Sequence, residues 1–574
     1  MDNLKTGPNL FYSIGFGLLG FVGLTSLVAA LSFALHIALA FWHFPFILTL
    51  SLILYYFYCA HFYRATKQSV FVKTSAILLA IIILSIVVSS QFYDLSHDGQ
   101  EYHQEAVYQL GHNHWNPFYK LLSNTVNEDL WINHYPKQSE TSAAVVYAFT
   151  HQIESGKAYN WILLIASFCL ATAFLKQYVN LSAKKTILLS FLFAFNPVAI
   201  HQVFTYLVDG QLASLLLCLL VACLLLYHSA RWDILLLFGF IIVIAINIKF
   251  TAIAFTGLFI LFLLMLLLLN KQVGRFWQVC VTAAISTFLA VILVGFNPFV
   301  INTFRFQNVF YPLFGKHPVD IMTFTSPPGF PEKNRVEKFL ISTFSHTDNI
   351  DIHKNARVPT LKIPLTFNRV DISELSSPDN RVAGFGIFFS AIFLLTIVLL
   401  VALLLDKRRL LFKSYLGGFV AMLVFSVFIL EEAWWARYVP HLWFVPLLVL
   451  ILTEGLTAKW ITPIKNLTYV LLFANIAASI CMITETNILK TAEINYQLNQ
   501  FKASGETVKV DFNFFEANRV RFTEHGIPYR QIPIVDSVVL HMPYTMAVVK
   551  TSKPLPNLPK PWIISTANSL KGVK

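Results

Sequence analysis

Long uncharged apolar runs, separated by short basic breaks, dominate this chain. Residues 252–269 carry no charge over eighteen positions, enough to cross a bilayer core as a helix. Repeated along the sequence, the pattern predicts thirteen spans, at about 11–36, 44–63, 74–91, 160–180, 186–204, 212–229, 233–248, 251–270, 276–296, 383–405, 411–430, 439–455 and 467–485. The stretch 233–270 also reads as one long kinked helix with a further break. The first run is too long for a signal-peptide core and has no clear cleavage site, so it is expected to stay.

Composition agrees with the pattern. The chain of 574 residues is 56% hydrophobic, 15% aromatic and 13% charged, where a soluble domain has about 25% charged residues. The fold class expected is an all-α polytopic membrane protein, with outer-side loops bearing amphipathic helices and a small α+β C-terminal region. Two parts follow: a transmembrane module over 1–485 with outer loops at 91–160 and 297–381, and a C-terminal extracytoplasmic region over 486–574.

The net charge of +12 sits mostly in the breaks and sets topology rather than binding nucleic acid; there is no basic-aromatic stripe. Alternation of the spans puts Arg64, Lys67 and Lys73, Lys176, Lys184 and Lys185, Arg231, Lys271 and Arg275, Lys407, Arg408, Arg409 and Lys413, and Lys459 and Lys465 on one side. The short breaks opposite hold little beyond Lys249 and Arg437. The positive-inside rule makes the first side cytoplasmic, with the N-terminus inside and the C-terminus outside. The six cysteines lie within or at the edge of apolar runs without metal-ligand spacing, as small packing residues do.

The chemistry gathers at one membrane edge. After the uncharged run 75–90 comes Tyr93-Asp94-Leu95-Ser96-His97-Asp98-Gly99-Gln100-Glu101-Tyr102-His103, and ionisable groups at such a boundary are costly unless used or solvated. Asp98 and Tyr102 are spaced i, i+4, so a helix starting near Asp98 puts them on one face. Asp98 with Glu101 equally fits a capping box. A carboxylate here can act as general base on an acceptor hydroxyl. Tyr102, Ala106, Val107 and Leu110 suit an amphipathic helix on the membrane surface. His112, His114 and His134 enlarge the cluster without zinc-site spacing. No cofactor follows firmly; a hard divalent ion, Mg or Mn, bridging Asp94 or Asp98 to a lipid phosphate suits oxygen ligands. Lys249 and Arg437 alone read as interfacial anchors. Together they suit a lipid-linked phosphate and its stabilisation as a leaving group; Arg305 and Lys316 are further options.

These motifs resemble those of the GT-C superfamily of polytopic glycosyltransferases, which use polyprenyl-phosphate sugars. Asp98-Gly99-Gln100-Glu101-Tyr102-His103 is similar to the Asp-x-x-x-Tyr-His pattern of many bacterial members, and His134-Tyr135-Pro136 precedes a later span. Gly295-Phe296-Asn297-Pro298-Phe299 with Asn302, then Phe310-Tyr311-Pro312, resembles the opening of their second outer loop. Arg437-Tyr438-Val439-Pro440 resembles their late Arg-Tyr-x-x-Pro, with the proline one residue early. The resemblance implies an inverting single displacement. Asp98 would be the base, with Asp94 the second choice; Lys249, Arg437 and Tyr438 would hold the donor phosphate; Tyr102, His103, His134 and Tyr135 would line the substrate. It further implies a bacterial cytoplasmic-membrane enzyme that moves a sugar, at the outer face, onto a lipid-linked glycan, cell-surface polymer or protein. Two alternatives stand beside it. An O-antigen-type polymerase or ligase would use Arg and His of the second outer loop (His317, Arg335, His346, His353, Arg357). A lipid or glycan transporter or flippase belongs to a different class, but Gly/Pro-broken helices with midplane ionisable groups are scarce here.

Overall fold

A computed structural model describes residues 8–123, 126–316, 318–349, 357–406, 414–456, 458–535 and 539–566. The molecule is mostly helical and carries a small C-terminal sheet. Among the described residues, seven helices are long and apolar enough to cross a membrane, with His43–Ser90 taken as one. That element is broken at Arg64–Thr66, so it folds as two antiparallel helices. Four further apolar helices, Trp232–Ile246, Phe389–Leu405, Tyr415–Val427 and Pro440–Thr453, are shorter, and the thirteen-span count is not reproduced by length. Of the topology-setting residues, Lys407, Arg408, Arg409 and Lys413 lie outside the described residues.

Local chemistry places the breaks. The predicted span 186–204 ends early, at Ala194. Asn196 caps a new short helix through Val198 N–H (3.0 Å) and donates to the Pro440 carbonyl (2.7 Å), with Pro197 in the first helical position, where its missing N–H costs nothing. The stretch 233–270 is two helices, Trp232–Ile246 and Phe250–Leu269. Asn247 closes the first by donating to the Val243 and Ala290 carbonyls, both at 2.9 Å. This turn delivers Lys249 to the helix end.

Asp209–His228 is almost wholly buried at the centre, packed against Ala158–Tyr178, Trp232–Ile246 and Phe250–Leu269. Leu10–Ala34 crosses Trp232–Ile246 so closely that a Cβ on Gly23 would meet Phe240 at 2.3 Å. Leu261, Leu269, Trp277 and Phe288 face outward, as lipid-facing residues do.

One expectation is overturned. The helix Gln104–Gly111 does not lie on a membrane surface: Ala106, Val107 and Leu110 are in the core, and Gln104, Glu105 and Gln109 are buried too. Its apolar face packs on Gln138–Thr150, and its acidic face is taken by Arg519, which donates to both Glu105 oxygens (2.7 and 2.6 Å). Amphipathicity here divides two protein neighbours, not lipid from water.

The C-terminal region starts without a linker. The 44-residue helix Ile461–Ser504 runs through the 485/486 boundary and stops at Gly505, whose φ of +62° favours glycine. Strands β1 (Val508–Asp511), β2 (Tyr529–Gln531), β3 (Leu540–His541) and β4 (Val548–Lys550) form one sheet in the order β2-β1-β4-β3, parallel only between β1 and β2. Of the β-prone runs that sequence marks at 507–511, 532–535 and 537–540, the first forms β1, the second forms no strand and the third contributes only Leu540 to β3, with Ser537 and Val538 outside the described residues. Tyr93, from the first outer loop, belongs to the core of this region with Leu498, Phe501 and Phe522.

The contact is pH-sensitive. Glu524 accepts the Ile153 N–H (2.7 Å), and burial, then Glu154, pushes its carboxyl from 4.5 up to about 7. A raised carboxyl favours folding while protonated. Its contribution is complete below pH 4.5 and lost as pH rises through about 7. Glu524→Gln is expected to flatten that part of the stability profile, as read by thermal unfolding of the purified protein between pH 4.5 and 8.

Candidate active site

Four segments, distant in sequence, meet at one end of the helix bundle. Asp98 comes from the loop after Lys67–Ser90. Asp209 opens the central helix, Lys249 precedes Phe250–Leu269, and Arg437 lies in a short turn with Tyr438. Asp379 joins from the second outer loop.

Arg437 is the hub. Its guanidinium stands 3.5 Å from Asp98 Oδ2, 3.7 Å from Asp209 Oδ2 and 3.6 Å from Asp379 Oδ1. Tight guanidinium–carboxylate pairs close to about 2.7–2.9 Å, so Arg437 sits in the field of three carboxylates without gripping any. Its Nε is buried and has no hydrogen-bond partner. The group rests on the Trp435 ring, 4.5 Å from its centroid. Lys249 donates to Asp209 Oδ1 (2.7 Å) and lies over Tyr438, 4.1 Å from the ring centre. Trp435 Nε1 donates to Asp379 (3.1 Å).

Asp98 keeps 30% of its side chain exposed and makes no capping bond to the turn it opens, so the capping-box alternative fails. Burial pushes its carboxyl up, but Arg437 foremost, then His97, His103 and Lys249, holds it below the ordinary value. Asp379 goes the other way: burial raises it despite Arg437 and Arg381. The turn 99–103 is π-helical, and its i, i+4 contact is His97 with Glu101 (3.2 Å).

Asp94 is brought elsewhere. It is fully buried, accepting from the Ser96 amide and hydroxyl (both 2.7 Å) and the Tyr206 amide (2.8 Å), and burial raises its carboxyl. It shapes the loop rather than facing the cleft. Its oxygen fills the space beside Gly99, where a Cβ would meet it at 1.9 Å. Gly99→Ala must therefore push Asp94 out of its cradle. An overpacking cost of about 1–3 kcal/mol is expected, read as a lower unfolding temperature together with slower turnover, because the displaced segment carries Asp98.

Tyr102 packs beside His103 and stands edge-on to Tyr135 (6.2 Å). Burial, then Asp98, raises the Tyr102 hydroxyl above its ordinary value. His103 is held by Glu140. His134 is set back: its Nδ1 meets Asn302 Oδ1 (2.7 Å), its ring is boxed by Phe306 and Tyr311, and burial lowers it to about 4. Asn302 and Tyr311 thus fix the opening of the second outer loop.

Among the described residues, His97, Asp98 and Glu101 offer ligand atoms within 4.8 Å of one another, a partial set for a divalent ion that excludes Asp94. In the second outer loop, Arg335 donates to the Phe428 carbonyl (2.7 Å) and His346 pairs with Asp371 (2.8 Å); both are tied into the fold. His317 and His353 lie outside the described residues. An apolar pocket of about 400 Å³ lined by Phe16, Tyr55, Leu78 and Trp232 shares no residue with the charged cluster.

The described residues form a mostly helical protein with several helices long and apolar enough to cross a membrane and a charged cluster at one end of the bundle. No family model matches the chain, and no curated protein matches it in sequence.

Proposed function

We propose that the chain is an inverting glycosyltransferase of the GT-C type that takes a sugar from a polyprenyl-phosphate donor. The observation that carries this reading is the meeting of Asp98 with Arg437 and Lys249 at one end of the bundle. A carboxylate base and two cations, one without a tight partner, are what transfer from a lipid phosphate requires.

With all groups ionised, three carboxylates face Arg437 and Lys249, with Arg381 also beside Trp435 and Asp379. An incoming lipid phosphate must displace a carboxylate from Arg437, and Asp98, which unlike Asp209 and Asp379 is not bonded by Lys249 or Trp435, is the one to move toward an acceptor. The donor phosphate then bridges Arg437 and Lys249. An acceptor oxygen attacks the anomeric carbon as the carbon–phosphate oxygen bond breaks. Asp98 takes the acceptor proton, and polyprenyl phosphate leaves with its charge held by the two cations. Tyr102 and Tyr135 flank the sugar, and His103 supports the wall. The acceptor is a lipid-linked glycan, a surface polymer or a protein, at the outer face of a bacterial cytoplasmic membrane with the N-terminus inside. A divalent ion on His97, Asp98 and Glu101 would add charge beside the phosphate.

Purified protein incubated with a panel of synthetic polyprenyl-phosphate sugars and crude membrane acceptors tests the proposal. Release of polyprenyl phosphate, abolished by Asp98→Asn, is expected. Release that survives that substitution but fails in Arg335→Ala would favour the polymerase alternative, and no release with any donor would count against glycosyl transfer.

A further inference from the structure

The segment 358–367 of the second outer loop has its pattern inside out. Leu361 and Ile363 are 67% and 75% exposed, and Leu365 and Phe367 also face outward, whereas Lys362 between them is buried. The Lys362 ammonium donates to the Ile387 carbonyl (3.0 Å), and its amide donates to the Phe344 carbonyl (2.8 Å). Against water, the charged side chain is the one ordinarily left outside and the apolar ones are buried. Leu365 moreover holds a φ of +74°, a conformation unfavourable for an L side chain, while presenting its side chain outward.

Depth identifies the neighbour. Phe367 packs edge-on against Phe388 (5.6 Å), the residue before the apolar helix Phe389–Leu405. Phe388 N–H donates to Asn475 Oδ1 (3.1 Å), and Asn475 donates to the Phe385 carbonyl (2.7 Å). Asn475 lies eight residues before the apolar run of its own helix ends at Ile483, about 12 Å at 1.5 Å per residue. The ridge therefore hangs at the level of the spans, not above them. Exposed Arg357 and Arg369 flank it, as basic residues flank membrane-inserted segments.

We propose that Leu361, Ile363, Leu365 and Phe367 dip into the acyl region of the lipid leaflet on the side of the charged cluster, with Arg357 and Arg369 reaching back toward anionic headgroups. The segment is a second lipid anchor built from a loop. It fixes the height of the second outer loop, and with it Asp379, relative to the membrane. This inference needs the chain to span a membrane but not the glycosyl-transfer chemistry.

The test is site-directed spin labelling of the full chain in nanodiscs of phosphatidylcholine and phosphatidylglycerol, in a Cys280→Ser, Cys481→Ser background. Labels go at Ile363→Cys and Leu365→Cys, with Leu361→Cys as the substitute should either fail to fold, and at Lys509→Cys on β1 as the aqueous reference. Collision with oxygen is expected to exceed collision with a water-soluble nickel chelate several-fold at the ridge, and to fall below it at Lys509. Equal nickel accessibility at the ridge and at Lys509 would overturn the proposal. Labels shielded from both reagents would overturn it too, by showing that protein covers the ridge; dipolar broadening would then identify a second copy.

Discussion

Asp98→Asn is expected to lower kcat by about 10²- to 10⁴-fold, the usual worth of a positioned general base, without weakening donor binding. The second half is the discriminating one. Asp98 Oδ2 lies 3.5 Å from Arg437 and competes with an incoming phosphate for it. The amide keeps the shape and removes the competing charge, so the donor KM should fall or stay level while kcat collapses. A structural role for Asp98 predicts something else: lost stability and a raised KM together. Steady-state kinetics against donor concentration, with an unfolding curve for the same preparation, separates the two. Wild-type turnover in a folded Asp98→Asn protein would remove Asp98 from the chemistry. Asp94→Asn serves as the contrast. Its carboxylate supports the Ser96 and Tyr206 amides, and its loss should act first on stability.

How far the site could be read from sequence depended on where each residue's partners lie. Lys249 and Arg437 stood out as cations at predicted outer helix ends, Asp98 as one of a cluster of ionisable residues after a span and Tyr438 through the resemblance, and the structure brings all four together. Asp209 and Asp379 were missed. Asp209 sits where helices ordinarily carry an acidic first turn, so its sequence context resembles a cap; its pairing with Lys249 is set by a turn forty residues away. Asp379 lies in a loop rich in Ser, Pro and Asp, and nothing local marks it as Arg437's neighbour. The usable signal was indirect: two cations on the less basic side need counter-charges, and Asp209 is an acidic residue at a predicted outer helix end. The fold shows the same division. Helices set by long apolar runs were legible, and so was the short amphipathic helix Gln104–Gly111 of the first loop. What covers its polar face was not, because Arg519 arrives from a region more than four hundred residues on. Likewise nothing local at 358–367 marks Leu361, Ile363, Leu365 and Phe367 as the exposed residues and Lys362 as the buried one, held by Ile387 and beside Asp371.

Arg437 ties these observations to a pH dependence. In the free protein Arg437 holds the Asp98 carboxyl below its ordinary value, near 3.9 for a free aspartate, so Asp98 is ionised but a weak base. A bound donor phosphate neutralises Arg437 and adds negative potential, which raises Asp98 toward the range where a general base is effective. The acid limb of kcat, which reports the complex, should therefore lie at higher pH than that of kcat/KM, which reports the free protein. Arg437→Gln should lower kcat by about 10²- to 10³-fold through the lost stabilisation of the leaving phosphate, and should move the acid limb of kcat/KM upward because Asp98 loses its main counter-charge. Arg437→Lys keeps the charge without the planar fork, so it should restore the position of that limb better than the rate. Removing the guanidinium also takes a shared counter-charge from Asp98, Asp209 and Asp379, so stability should fall as well, with Lys249 still on Asp209 and Arg381 near Asp379. The double variant Arg437→Gln, Asp98→Asn controls for this. Taking away one carboxylate should recover part of the lost stability but none of the activity, a coupling that a double-mutant cycle measures directly. A kcat/KM profile that Arg437→Gln leaves unmoved would show that Arg437 does not set the charge state of Asp98, and the donor-switched base would be lost even if Arg437 still binds phosphate.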